Sequence, residues 1–143
     1  MSFTGLRQPI TQVVQVRFEF PANSPSGTVV LGKIIADPQQ PAKDYLNVPP
    51  TEVWHITDIY AESMDNIGAD GYLDIIVDDI KQNLRFGPMS QTLKTLLRPV
   101  VLRQAIVLDR MSTVTFSFQN RSAVGPAPVT TTINVEIVRV PVG

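Results

Sequence analysis

From Val14 the chain alternates apolar and polar side chains, with Val14, Val16, Phe18 and Phe20 on one side and Gln15, Arg17 and Glu19 on the other. A period of two is the signature of a half-buried β-strand. Pro21, Asn23, Pro25 and Gly27 break the pattern, because proline has no ladder donor and glycine tolerates positive φ. Thr28 to Ala36 then reads as a second, more continuously apolar strand, with Gly32 at a bulge. Asp37 to Pro50 holds four of the 12 prolines and reads as a long ordered loop ending in Pro49-Pro50. Glu52 to Glu62 resumes the β pattern through Val53, Trp54, Ile56, Ile59 and Tyr60, with a slip near Thr57-Asp58 of the kind a bulge produces.

Met64 to Gly71 is a polar turn, after which Leu73, Ile75 and Val77 alternate with Asp74, Ile76 and Asp78, and Lys81 to Phe86 gives a weaker strand. Beyond Gly87-Pro88, Ser90 stands as an N-cap before Leu93, Leu96 and Leu97 at helical spacing. One or two helical turns over 90–97 are predicted, ending before Pro99, which restricts Arg98 away from the helical region. Val100 to Leu108, Thr113 to Asn120 and Val129 to Val140 are the last strands. In the first of the alternating pair, Val114, Phe116 and Phe118 oppose Thr113, Thr115, Ser117 and Gln119; in the second, Ile133, Val135 and Ile137 point inward and Thr132, Asn134 and Glu136 outward.

The pattern gives eight candidate strands, most joined by links too short for a crossover helix. An all-β fold follows: an eight-stranded antiparallel jelly-roll β-sandwich with at most one short helix near 90–97, or an immunoglobulin-like sandwich should Lys81 to Phe86 drop out. The Cys-Trp-Cys marker of immunoglobulin domains is absent, since the chain has no cysteine.

Composition narrows the function classes. The 143 residues make one domain. Charged residues are 17% of the chain, below the roughly 25% of ordinary soluble domains. That fits a surface partly covered by other subunits, and equally a Ser/Thr/Gln-rich β-protein standing alone. A net charge of −1 supplies no field for the phosphates of nucleic acid. No apolar run approaches the roughly 18 to 20 residues that span a bilayer, and the N-terminal MSFTGLRQPI has no signal-peptide core. Without cysteine there are neither disulfides nor thiolate metal sites.

Candidate chemistry is sparse. His55, the single histidine, sits in a strand beside Trp54 with no nucleophile marked by a motif, and reads as an ordinary strand histidine, with Asp58 as its one conceivable partner. Asp65 to Gly71 brushes against a calcium loop, but aligning Gly71 with the invariant glycine puts Gly68 at a ligand position and Val77 where the bidentate Glu belongs. A looser oxygen site from Asp65, Asn66 and Asp70 competes there with a plain polar hairpin loop. Asp78 and Asp79 are adjacent, so as strand residues they would face opposite sides and could not flank one cleft. Asn120-Arg121-Ser122 matches a glycosylation sequon. No metal, cofactor or catalytic set is predicted, and the chain reads as no enzyme.

Charge is distributed unevenly along the chain. Asp58, Glu62, Asp65, Asp70, Asp74, Asp78 and Asp79 are seven acids with no base among them; Lys81, Arg85, Lys94, Arg98, Arg103, Arg110 and Arg121 are seven bases with one acid, Asp109. Two readings follow. Acidic and basic patches meet between copies, making Asp65, Asp70, Asp78, Asp79, Arg85, Arg98, Arg103 and Arg110 assembly contacts. Alternatively the two segments pair as neighbouring strands within one subunit and cancel.

The segment Pro49-Pro50-Thr51-Glu52-Val53-Trp54-His55-Ile56-Thr57-Asp58-Ile59, the acidic hairpin after it, Leu97-Arg98-Pro99-Val100-Val101-Leu102 and the alternating Thr113 to Gln119 resemble the single jelly-roll capsid proteins of icosahedral, membrane-containing viruses of bacteria and archaea. The likeness covers most of the chain in layout and texture. It implies a structural protein that self-assembles, alone or with a second capsid protein, into the virion shell after synthesis in the host cytoplasm. It also implies an N-terminal arm, Met1 to Thr11, before a single jelly-roll domain over 12–143. The same sandwich serves as virion spike, penton or decoration protein, and outside viruses as a carbohydrate-binding module. A lectin of that kind would display its aromatics in a row, for which Trp54, Tyr45, Tyr60 and Tyr72 are the candidates.

Overall fold

The computed structural model describes residues 8–63, 71–78, 80–86 and 100–142. These residues form strands β1 (Ile10–Phe20), β2 (Val29–Leu31), β3 (Lys33–Ile35), β4 (Leu46–Asn47), β5 (Glu52–Ser63), β6 (Tyr72–Val77), β7 (Ile80–Phe86), β8 (Val100–Leu108), β9 (Thr113–Gln119) and β10 (Val129–Pro141). All pairings are antiparallel. One sheet runs β3-β1-β10-β5-β8 and the other β2-β9-β6-β7, with β4 also paired to β9. β2 takes Ser117 to Gln119 and β4 takes Thr113 and Val114, so two short strands share one edge of β9. The result is an all-β sandwich.

Alternation puts Val14, Val16, Phe18 and Phe20 of β1 inside, where they meet Phe116 and Phe118 of β9 and the buried isoleucines and valines of β5, β6 and β10 in one core. The Phe18 and Phe118 rings lie 5.2 Å apart and tilted, and Phe20 meets Phe118 edge-on at 5.9 Å. Each such side chain, fully buried, contributes about 1.5–3 kcal/mol, so three phenylalanines tie the two sheets together where β1 crosses β9.

Gly32 acts as a corner, not as the expected bulge in one strand. β2 pairs with β9 in the second sheet and β3 with β1 in the first, so the chain changes sheets between Leu31 and Lys33. The Gly32 N–H donates to the Phe116 carbonyl at 2.8 Å. A Cβ there would lie 2.4 Å from Val16 Cγ1 and 2.9 Å from Phe18 Cε1, so glycine is required by space. The bulge expected near Thr57 is present, with the β5 register slipping against both β10 and β8 at that residue. Buried positions accordingly change phase from Trp54 and Ile56 to Ile59.

Asp37 to Pro50 is less of a free loop than its prolines suggest. Ile34 and Lys43 exchange backbone hydrogen bonds of 2.6 and 2.9 Å, and Leu46-Asn47 forms β4. Three positions expected outward are buried: Ser117 at 2%, Asp74 at 6% and Thr132 at 7% exposure. All three sit on strands flanked on both sides, Asp74 and Ser117 directly opposite one another. Short side chains in mid-sheet are shaded by longer neighbours. β1 begins at Ile10, already paired with Arg139, inside the segment assigned to the arm. The helix predicted over 90–97 lies outside the described residues. No helix among the described residues is long and apolar enough to cross a membrane.

Candidate functional site

The oppositely charged runs interleave strand by strand. Acidic β6 pairs with basic β7, setting Asp74 opposite Arg85 and Ile76 opposite Lys81. β5 pairs with β8, which sets Asp58 opposite Val101. Of the predicted contacts, Asp78 follows β6 with φ 50°. Its N–H donates to the Thr113 carbonyl at 2.8 Å and its Oδ1 accepts from the Thr113 N–H at 2.9 Å. It therefore locks the end of β6 onto the start of β9. Arg110 is exposed in the β8–β9 turn beside Met111, which is 73% exposed. Arg85 lies on β7, and Arg103 on β8 between the registered residues Val101 and Ile106. Asp65, Asp70, Asp79 and Arg98 lie outside the described residues, as does the Asp65 to Asp70 stretch of the looser oxygen site.

A carboxyl pair that the sequence did not reveal sits on the outer face of the first sheet. Glu136 of β10 is registered directly opposite Asp58 of β5 and hydrogen-bonds to it, which holds the Glu136 proton above the ordinary carboxyl range, with partial burial and the Asp58 charge adding to the effect. Like charges directly opposite are normally avoided. Val13 of β1 and Val101 of β8 flank the pair in register. Only cross-strand register, invisible in a linear sequence, brings the two acids together. The Thr57 bulge turns His55 and Asp58 to the same face, where Asp58 takes Glu136 as its partner. Among the described residues no three His, Asp or Glu side chains gather as a metal site.

At one end of the core a polar clamp closes the inner face of the first sheet. Glu52 accepts from Arg139 Nε at 2.7 Å and Nη2 at 2.9 Å, and from Trp54 Nε1 at 2.7 Å. The Arg139 guanidinium also stacks 5.3 Å from the Trp54 ring centre and donates to Gln12 at 3.3 Å. The two-point contact fixes the ion pair, and the Glu52 hydrogen bonds hold the Arg139 proton more firmly still. Trp54 is thereby spent inside the fold. Tyr72 is engaged by Arg121, which donates to its hydroxyl and lies 5.2 Å over its ring. The row of displayed aromatics expected of a lectin is not formed by these two. Asn120 of the sequon is fully buried, its Nδ2 donating to the carbonyls of Pro25 at 3.2 Å and Ser122 at 3.0 Å. The nitrogen a glycan would need is already committed.

A cleft of about 250 Å³ opens between the end of β3, the loop over 36–45 and β4. Ile34 and Leu46 form its apolar floor, and Tyr45, 43% exposed, stands beside it. Neither periodicity nor motif marks it, because it is made by a loop folding back on an edge strand. The chain matches no protein-family model and no curated protein.

Proposed function

We propose that the protein is a jelly-roll structural protein of an icosahedral, membrane-containing virus, which assembles with copies of itself, with or without a second capsid protein, into the virion shell. The strand order carries the reading. With β2 and β3 taken as one bent strand and the short β4 set aside, eight strands remain among the described residues, and the sheets follow the orders first-eighth-third-sixth, with the β3 half of the second strand added beside the first, and second-seventh-fourth-fifth. Two interlocked Greek keys would give that order, which supports the jelly-roll reading. The texture of Pro49 to Ile59 and Thr113 to Gln119 supports the same family. Exposed Val13, Val107 and Met111 add apolar surface of the kind that contacts between copies bury. In this reading the barrel is the working part, with no catalytic residue and no cofactor, and the protein resides in the virion. A spike, penton or decoration role would use the same block at a different place on the particle.

The test is the mass of the purified full chain against ionic strength and concentration, by native mass spectrometry and light scattering. Oligomers that grow with concentration are expected, and persistence at high salt would assign their contacts to the apolar surface. A monomer at every concentration and salt overturns self-assembly.

A further inference from the structure

We propose that the cleft beside β4 binds a single neutral sugar ring, a property independent of shell assembly. The site is built in advance. Lys43 closes the loop against Ile34 through two backbone hydrogen bonds. Asp37 turns the loop tip by accepting from the Gln39 N–H at its Oδ1 and the Gln40 N–H at its carbonyl, both at 3.0 Å. The exposed Lys33–Asp44 ion pair at 2.5 Å also links β3 to the loop. A cleft held this way pays little ordering entropy when a ligand enters.

Its lining selects the ligand class. Five residues with polar side chains, Asp37, Gln40, Lys43, Tyr45 and Asn47, line the cleft together with the apolar Ile34 and Leu46. One carboxylate and one ammonium cancel, so the cleft holds no field for a phosphate or a carboxylate ligand. A single carboxylate also falls short of the roughly 6–8 oxygens a calcium ion takes. A wholly apolar ligand would strip water from the polar groups without replacing their hydrogen bonds. A ligand whose groups both donate and accept, with a C–H face for an aromatic ring, meets every part of the lining.

Two of the polar groups are held in place. Asn47 Oδ1 accepts from the Thr113 hydroxyl at 2.9 Å, which fixes the amide and leaves Nδ2 as a donor. Asp37 spends Oδ1 on Gln39, and Oδ2 is the acceptor for a pair of sugar hydroxyls. Tyr45 supplies the stacking ring at 43% exposure, whereas Tyr72 is already taken by Arg121. The volume of about 250 Å³ lies just below the usual ligand cleft of roughly 300–1,000 Å³, which suits one ring and not an oligosaccharide chain.

The experiment is an amide NMR titration of the full chain, separately, with the methyl glycosides of glucose, galactose, mannose and N-acetylglucosamine. At least one is expected to shift amides over 34–47 saturably. Tyr45→Ala should weaken that binding about tenfold, with Tyr45→Phe retaining it and Asp37→Asn weakening it while keeping the turn acceptor. Because Tyr45 is exposed, its variants should keep the parent melting temperature. The proposal is overturned if no glycoside shifts those amides, if Tyr45→Ala and Asp37→Asn bind like the parent, or if inorganic phosphate or calcium chloride shifts them more than any sugar.

Discussion

Replacing Gly32 with alanine tests the corner on which the two sheets join. At an ordinary site Gly→Ala stabilises by about 0.4–1 kcal/mol, because the unfolded chain loses freedom. At Gly32 the added carbon would sit 2.4 Å from Val16 Cγ1 and 2.9 Å from Phe18 Cε1, and both neighbours are fully buried. Overpacking of this kind costs about 1–3 kcal/mol, and an approach of 2.4 Å to a buried neighbour belongs at the upper end, so the net expectation is a loss of about 2 kcal/mol. Val16→Ala removes the nearest clashing carbon at a cost of about 1.6 kcal/mol for two buried methyl groups. The double variant should therefore be more stable than the sum of the singles, by about 1 kcal/mol. Gly125→Ala, with no atom within 4 Å of the new carbon, is the control and should be neutral or slightly stabilising. Urea midpoints at constant m read all four variants. A neutral or stabilising Gly32→Ala, or additivity with Val16→Ala, would refute the steric account of the corner.

Glu136→Gln should flatten the pH dependence of stability. The folded state holds the Glu136 proton more tightly than the unfolded chain, so unfolding free energy falls as pH rises from the ordinary carboxyl range through the raised value, then levels. At neutral pH the variant should gain about 0.2–1 kcal/mol by ending the cross-strand repulsion, and melting curves taken from acid to neutral pH would show an unchanged slope if the pair were unimportant. Glu52→Ala leaves Arg139 and the Trp54 Nε1–H without their shared acceptor and should cost about 1–3 kcal/mol, read by urea unfolding and by the emission of Trp54, the chain's single tryptophan. Asn120→Asp turns a buried donor to two carbonyls into an acceptor and should cost more than about 2 kcal/mol; a melting temperature close to the parent would contradict the role given to Nδ2.

The strands were legible because burial on one face writes a period of two into the sequence. β1 and β9 have their apolar residues buried as the alternation indicates, and the slip at Thr57 showed as a broken alternation before any register was known. Gly32 stands out as an exception in the sequence, but one glycine in an apolar run signals either a bulge or a corner, and only the partner strands of Leu31 and Lys33 separate the two. The Glu52 clamp and the Asp58–Glu136 pair were not legible at all, because each joins residues far apart in the chain. β4 was hidden for a different reason. Two residues carry no period, and the surrounding prolines read as loop.

Strand order also bears on how copies can meet. An all-antiparallel sandwich has open edges, and an open edge invites addition of a strand from another copy. Here β3 spans only Lys33–Ile35 and its neighbour Lys43 already bridges Ile34. β8 slips out of register with β5 between the pairs at Ile56 and Asp58, and a slipped strand twists its edge away from a flat partner. β7, one edge of the second sheet, places Lys81 and Arg85 in its ladder, and charged edge residues oppose pairing. These three edges are thus guarded against strand addition, and in the proposed assembly the contacts between copies would fall to faces and turns, which can close into finite assemblies where strand addition would run on as fibres. Amide exchange distinguishes the two. Edge amides of β3, β7 and β8 should exchange at the same rate in monomer and oligomer, and new protection confined to any one of those edges would show that copies join by strand addition after all.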